Sequence, residues 1–69
     1  MTTMKITCNG ETKEINQGIT LISFIKDLDL NPDNVVAECD GTIIKRDKYD
    51  TLVLTEGNVL ELIRFVGGG

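Results

Sequence analysis

Apolar and polar residues alternate at the start of the chain, recur at helical spacing in its middle, and alternate again at its end. In "MKITCNG", Met4, Ile6 and Cys8 fall on one side and Lys5 and Thr7 on the other, the period-two pattern of a half-buried strand. Asn9–Glu11 reads as a hairpin turn, because Asn and Gly accept positive φ. The second strand, "ETKEI", turns Ile15 inward. Thr20 is a suitable helix N-cap, and Ile19 before it with Phe24 four residues after it matches a hydrophobic staple. Leu21, Ile22, Ile25 and Leu28 then form one apolar helical stripe. The helix is expected to stop before "NPDN", since Pro32 disfavours helix at Asn31.

"VVAEC" has the β-branched content of a third strand, and Asp40-Gly41 turns it into a short fourth, "TIIK". "RDKYDTLVL" has no clean period and is expected to hold a helical turn and an irregular crossing. "EGN" is a turn, and "VLELIRF" is the last strand, with Leu60 and Leu62 facing the core and Val59, Glu61, Ile63 and Phe65 facing away. The order is ββαββ, a short turn, then β. One mostly antiparallel sheet covered on one face by the single helix buries these stripes economically. With the first and last strands paired in parallel at the centre, this is an α+β fold of the β-grasp, or ubiquitin-like, kind. Residues 1–69 form a single domain, with 66–69 expected as a flexible tail.

Composition narrows the chemistry. The 69 residues contain no histidine and two cysteines, Cys8 and Cys39, which argues against zinc, haem and iron–sulfur sites. No bound cofactor and no metal are expected. The net charge is −4 and the pI about 4.5, and Phe24, Tyr49 and Phe65 are the only aromatics. Nucleic-acid binding, which needs a basic footprint, is set aside. No apolar run is long enough to span a membrane. The start "MTTMK" lacks a secretory signal pattern, which points to the cytoplasm and to free thiols. Cys8 and Cys39 read as buried, inert thiols. The acid pairs Glu11 and Glu14, and Asp27 and Asp29, read as solvated surface charge.

No catalytic constellation is present, so the chain is read as a non-enzyme. What remains is the ending "FVGGG". From Phe65 onward the chain spans roughly 16 Å if extended. Without Cβ atoms, Gly67, Gly68 and Gly69 can thread a channel too narrow for other residues, leaving the Gly69 carboxylate unhindered. A carboxylate must first be activated as a mixed anhydride, and this chain has no equipment for that, so the ATP chemistry belongs to another protein. The bland reading is a frayed terminus of no consequence.

Three stretches, "MKITCNGE", "DGTIIKR" and "EGNVLELIRFVGGG", resemble the ThiS family of sulfur carriers within the ThiS/MoaD group of ubiquitin-like proteins. The last is similar to that family's G-D-x-hydrophobic-E-hydrophobic…F-V-G-G-G ending, and the likeness runs from Met4 to Gly69. The chain departs from the pattern at Asn58, where Asp is usual, at Lys45, where proline often precedes the arginine matched by Arg46, and at Cys39, which replaces an aliphatic residue.

The resemblance implies a cycle. A ThiF-like adenylyltransferase uses ATP to adenylate the Gly69 carboxylate. A sulfur donor such as a cysteine desulfurase relay converts it to a thiocarboxylate. Thiazole synthase, the ThiG-like partner, takes the sulfur for the thiazole of thiamine. The carrier is a regenerated co-substrate with no catalytic site of its own. Ile63, Arg64, Phe65 and Val66, followed by Gly67 and Gly68, are the expected partner-binding stretch. The alternatives are the molybdopterin synthase small subunit, a protein modifier joined through Gly69, and an interaction module indifferent to its tail.

Overall fold

The first and last strands lie side by side at the middle of a five-stranded sheet of order β2-β1-β5-β3-β4. The computed structural model describes residues 2–65; the expected tail, 66–69, lies outside the described residues. The strands are β1 (Thr3–Cys8), β2 (Glu11–Asn16), β3 (Val35–Cys39), β4 (Thr42–Ile44) and β5 (Val59–Arg64), with one helix, α1 (Leu21–Asp27). Short 3-10 turns occupy Pro32–Asn34 and Arg46–Lys48. β1 and β5 are parallel, and every other pairing is antiparallel. This is the expected β-grasp arrangement.

Both hairpins are made by two-residue loops. Asn9 and Gly10 have φ of 51° and 81°, and Asp40 and Gly41 have 51° and 86°. Two successive left-handed residues make the turn whose twist matches that of the flanking strands, which is why Asn-Gly and Asp-Gly stand there. The alternation of β1 and β5 then places Met4, Ile6, Cys8, Leu60 and Leu62 against Leu21, Phe24 and Ile25 of α1 in one buried cluster. Ile15 and Ile19 pack against its margin.

The helix stops a turn earlier than the proline rule implies. Asp29 adopts φ 63°, its N–H donates to Lys26 O, and Leu30 N–H donates to Ile25 O. This paired closure is a Schellman ending, with Asp where glycine is usual. Pro32 instead opens the following 3-10 turn, capped by Asn31 through Asp33 N–H. At the other end, the Thr20 hydroxyl accepts from Ser23 N–H, as expected of the N-cap.

The ambiguous stretch after β4 closes the remaining edge of the core. Leu21 N–H and Ile22 N–H, which have no partner within the helix, donate to Leu52 O and Tyr49 O of this crossing. Tyr49 and Leu54 are fully buried. The Tyr49 hydroxyl donates to Val35 O at 2.7 Å and accepts from Ala37 N–H at 3.1 Å, so it continues the exposed side of β3 where β4 is too short to do so. Arg46 lies over the Tyr49 ring and pairs with Asp33, fastening the two 3-10 turns together.

Candidate functional site

β5 is the strand that leads toward the glycine run, and the structure holds it on both sides. β3 pairs with it from Val35↔Arg64 to Cys39↔Leu60. The bond from Phe65 N–H to Asn34 O extends that ladder one residue further. On the other side, β1 pairs only at Thr7↔Val59 and Cys8↔Leu60 before it turns away. Asn9 makes up the difference. Its N–H donates to Leu60 O, its Oδ1 accepts from Leu62 N–H at 2.8 Å, and its Nδ2 donates to Leu62 O at 3.2 Å. A side-chain carboxamide presents the same donor and acceptor as a peptide group, so β5 meets a partner there that the backbone no longer supplies. From the sequence Asn9 reads only as a turn residue; this second task becomes visible once β5 is beside it.

At its start, β5 is fixed by the second hairpin. Asp40 Oδ1 accepts from Val59 N–H and Oδ2 from Asn58 Nδ2, both at 2.8 Å, while Asn58 Oδ1 accepts from Thr55 N–H at 2.7 Å. The chain entering β5 is thus tied through Asn58, one of the positions where it departs from the ThiS-like pattern.

The expected partner-binding residues divide between two faces. Ile63 shares its face with Val59 and Glu61, away from the helix, and is 61% exposed. Phe65 continues the alternation and is 45% exposed. Arg64 is exposed but lies opposite Val35 on the helix side of the sheet, so it does not adjoin Ile63 and Phe65 on one surface. Val66, Gly67, Gly68 and Gly69 lie outside the described residues. The structure adds two residues to the outward face that the sequence reading did not single out. Val36 stands opposite Ile63, and Ile43 stands one strand beyond, opposite Glu38. Among the described residues, five of the six exposed large apolar side chains, all but Val53, therefore share one side of the sheet, the arrangement expected of an interaction surface rather than of scattered exposure.

The thiols are not part of a reactive site. Cys8 and Cys39 both stand opposite Leu60, one on each side. Two strand spacings, about 10 Å, separate them, too far for a disulfide. Both are free. Cys8 is buried as expected; Cys39, at the end of β3 beside the hairpin, is only half-buried, which corrects the reading from sequence. Burial is the main cause pushing both thiols above their ordinary pKa, so both stay protonated near neutrality. Among the described residues no group of His, Cys, Asp and Glu is arranged to hold a metal. An open cleft of about 300 Å³ between β2 and α1 is lined by Thr3, Lys13, Glu14, Phe24 and Asp27 among others, and in it the exposed Thr3 hydroxyl donates to Glu14 Oε2 at 3.1 Å. No helix among the described residues is long and apolar enough to cross a membrane.

Comparison with known proteins agrees with this picture. The ThiS family pattern matches residues 3–69. A thiazole synthase of Magnetococcus marinus is 35% identical over 66 residues, covering 96% of this chain and 20% of the relative. A thiazole synthase of Paramagnetospirillum magneticum is 27% identical over 66 residues, with the same coverage. The chain thus spans about a fifth of the length of these curated relatives. The crystal structure of the thiamine biosynthesis protein ThiS from Geobacter metallireducens superposes with a TM-score of 0.80 at 23% identity, over 96% of this chain and all of that one. The solution structure of a thiamine biosynthesis protein from the same organism gives 0.77, over 96% of this chain and 88% of that one. These two likenesses establish the shared fold.

Proposed function

The chain belongs to the ThiS family, and from that membership we propose that it is a sulfur carrier for the thiazole of thiamine, with the Gly69 carboxyl as the working group. The observation that carries this reading is the reach of the family match. It extends through residue 69, so the glycine run is part of the shared pattern along with the fold. The thiazole synthase relatives support the same pathway.

In this reading the chain contributes a presented carboxyl and a docking face. A ThiF-like enzyme transfers AMP from ATP to the Gly69 carboxylate, releasing pyrophosphate. The acyl adenylate is a good electrophile with no Cβ beside it. The persulfide of a sulfur donor, such as a cysteine desulfurase relay, displaces AMP to give an acyl disulfide. A second thiol cleaves its S–S bond, leaving the thiocarboxylate on Gly69 and a disulfide between the two thiols. The sulfur of a thiocarboxylate is nucleophilic, so a ThiG-like synthase can receive it without free sulfide being released. The carrier is then a co-substrate, turned over in the cytoplasm where ATP is at hand. Ile63 and Phe65, on the outward face next to the glycine run in sequence, engage the partner. Asn9, Asp40 and β3 hold β5 as far as Phe65, whose N–H donates to Asn34 O.

Intact-mass spectrometry tests this. The protein is incubated under reducing conditions with ATP, a sulfur source and a ThiF-class enzyme proven on a control carrier. The expected result is a mass gain equal to one oxygen replaced by sulfur, mapped to Gly69 and absent after deletion of Gly68 and Gly69. An unchanged mass overturns the proposal, and isopeptide adducts in its place would make the chain a protein modifier.

A further inference from the structure

Resting on the carrier reading, we infer that the outward face of the sheet docks its protein partner around a basic side chain, preferably an arginine, received between Glu38 and Glu61. The register of β3 and β5 sets these two carboxylates directly opposite each other. Like charges facing across an antiparallel pair destabilise a sheet. Neither carboxylate takes part in an ion pair among the described residues, where the pairs are Lys13–Glu11 and Arg46–Asp33. The fold gains nothing from this pairing.

The surroundings indicate what does gain. Val59 precedes Glu61 by two residues on the same face and Ile63 follows it by two; Val36 stands opposite Ile63, and Ile43 stands opposite Glu38. With about 6.7 Å between alternate residues and about 4.8 Å between strands, the two carboxylates sit inside a frame of four aliphatic side chains. Those four are 47%, 61%, 37% and 68% exposed, in the order named. A partner that covers the aliphatic frame must also strip water from the carboxylates. That is unfavourable unless the partner brings positive charge with it. A guanidinium is planar, weakly hydrated and able to bond two carboxylates at once, so it fits the space better than an ammonium. The net charge of −4 draws a basic surface toward the molecule in the same sense.

The test is ATP–pyrophosphate exchange by the ThiF-class adenylyltransferase of the same organism, measured against carrier concentration at low and high salt. The carriers are wild type, Glu38→Gln/Glu61→Gln, Glu61→Lys and, as a control on exposed charge, Asp50→Asn. The double Gln variant is expected to raise KM about tenfold or more with kcat unchanged, and to lose most of the salt dependence of KM. Glu61→Lys is expected to raise KM further while the melting temperature holds or rises, since the facing repulsion is gone. That pairing of a steadier fold with weaker docking is what a merely structural role cannot give. Should Glu61→Lys lower the melting temperature, the isosteric Gln variant alone decides. Exchange by wild type, with the Gln variant matching Asp50→Asn in KM, overturns the docking inference and leaves the carrier reading standing. No exchange by wild type overturns the carrier reading, and the inference goes with it.

Discussion

Asn9 and Leu62 are bonded as strand neighbours although Asn9 lies in a turn: Leu62 N–H donates to Asn9 Oδ1 at 2.8 Å, and Asn9 Nδ2 donates to Leu62 O at 3.2 Å. Leu62 is buried and both hydrogen bonds are partly shielded from water. Asn9→Ala should cost about 1–3 kcal/mol for the unpaired groups, with the left-handed φ adding to it. Asn9→Asp isolates the donor arm, because it keeps the acceptor and tolerates the φ but sets a carboxylate oxygen against Leu62 O. Urea denaturation of the three proteins checks this; equal midpoints for wild type and Asn9→Asp would contradict it.

Asn58 depends on Asp40. The ThiS-like pattern has Asp at this position, but here an aspartate would set two carboxylates at the 2.8 Å spacing now bridged by Asn58 Nδ2 and Asp40 Oδ2. Asn58→Asp alone should destabilise by about 1–2 kcal/mol, the worth of an exposed hydrogen bond to a charged group. Asn58→Asp with Asp40→Asn restores a donor to the pair and should regain most of the loss. A double-mutant cycle that comes out additive would show the pair to be uncoupled.

Lys45 stands in another departure from the pattern, and its backbone explains why proline fits there. Its φ of −68° and ψ of 144° are those of proline, and Ile44 before it is extended in β4. Lys45→Pro should stabilise the fold by about 0.4–1 kcal/mol through the unfolded chain. Thermal melts read this directly, and a lowered melting temperature would mean that the Lys45 N–H or side chain matters more than its φ.

Tyr49→Phe removes the one hydroxyl that serves both Val35 O and Ala37 N–H, each buried. The expected loss is about 1–3 kcal/mol, with the denaturant slope unchanged because the same surface is buried. A neutral result would imply that β4 re-pairs with these groups.

The thiols predict a pH dependence. Burial holds both above the ordinary value of 9.0; at Cys8, Lys13 works against this and Glu61 and Glu11 with it, and at Cys39 Asp40 adds to it. Below that value both states keep the thiol protons, and the contribution is constant. As pH rises through it the unfolded chain releases its protons first, so stability falls. Urea midpoints taken from about pH 7 to about pH 10 should decline less steeply in Cys8→Ala/Cys39→Ala than in wild type. Parallel declines would show that other groups set the slope.

Much of this molecule follows from period and turn chemistry alone. Alternation in β1 and β5 assigns a face to every residue from Met4 to Cys8 and from Val59 to Ile63, because a strand has only two sides. Asn9-Gly10 and Asp40-Gly41 place the hairpins, because few other residues accept two successive positive φ values. Thr20 and the stripe from Leu21 place the helix. The resemblance carried by the ending "EGNVLELIRFVGGG" points to the ThiS family, to which the chain belongs, while Val66–Gly69 lie outside the described residues.

Tertiary structure decided everything that needs two distant segments to meet. The crossing after β4 has no period to read because it is shaped by the helix N-terminus it satisfies, and Tyr49 is buried there for a bond to β3. Asn9 has a second task only because β5 arrives beside it. Arg64 parts from Ile63 because the strand continues its alternation to the last pairing with Val35. Glu38 and Glu61 are 23 residues apart in the chain, and nothing local marks either one. It is the register of β3 on β5, fixed by which faces must be dry, that sets them opposite each other.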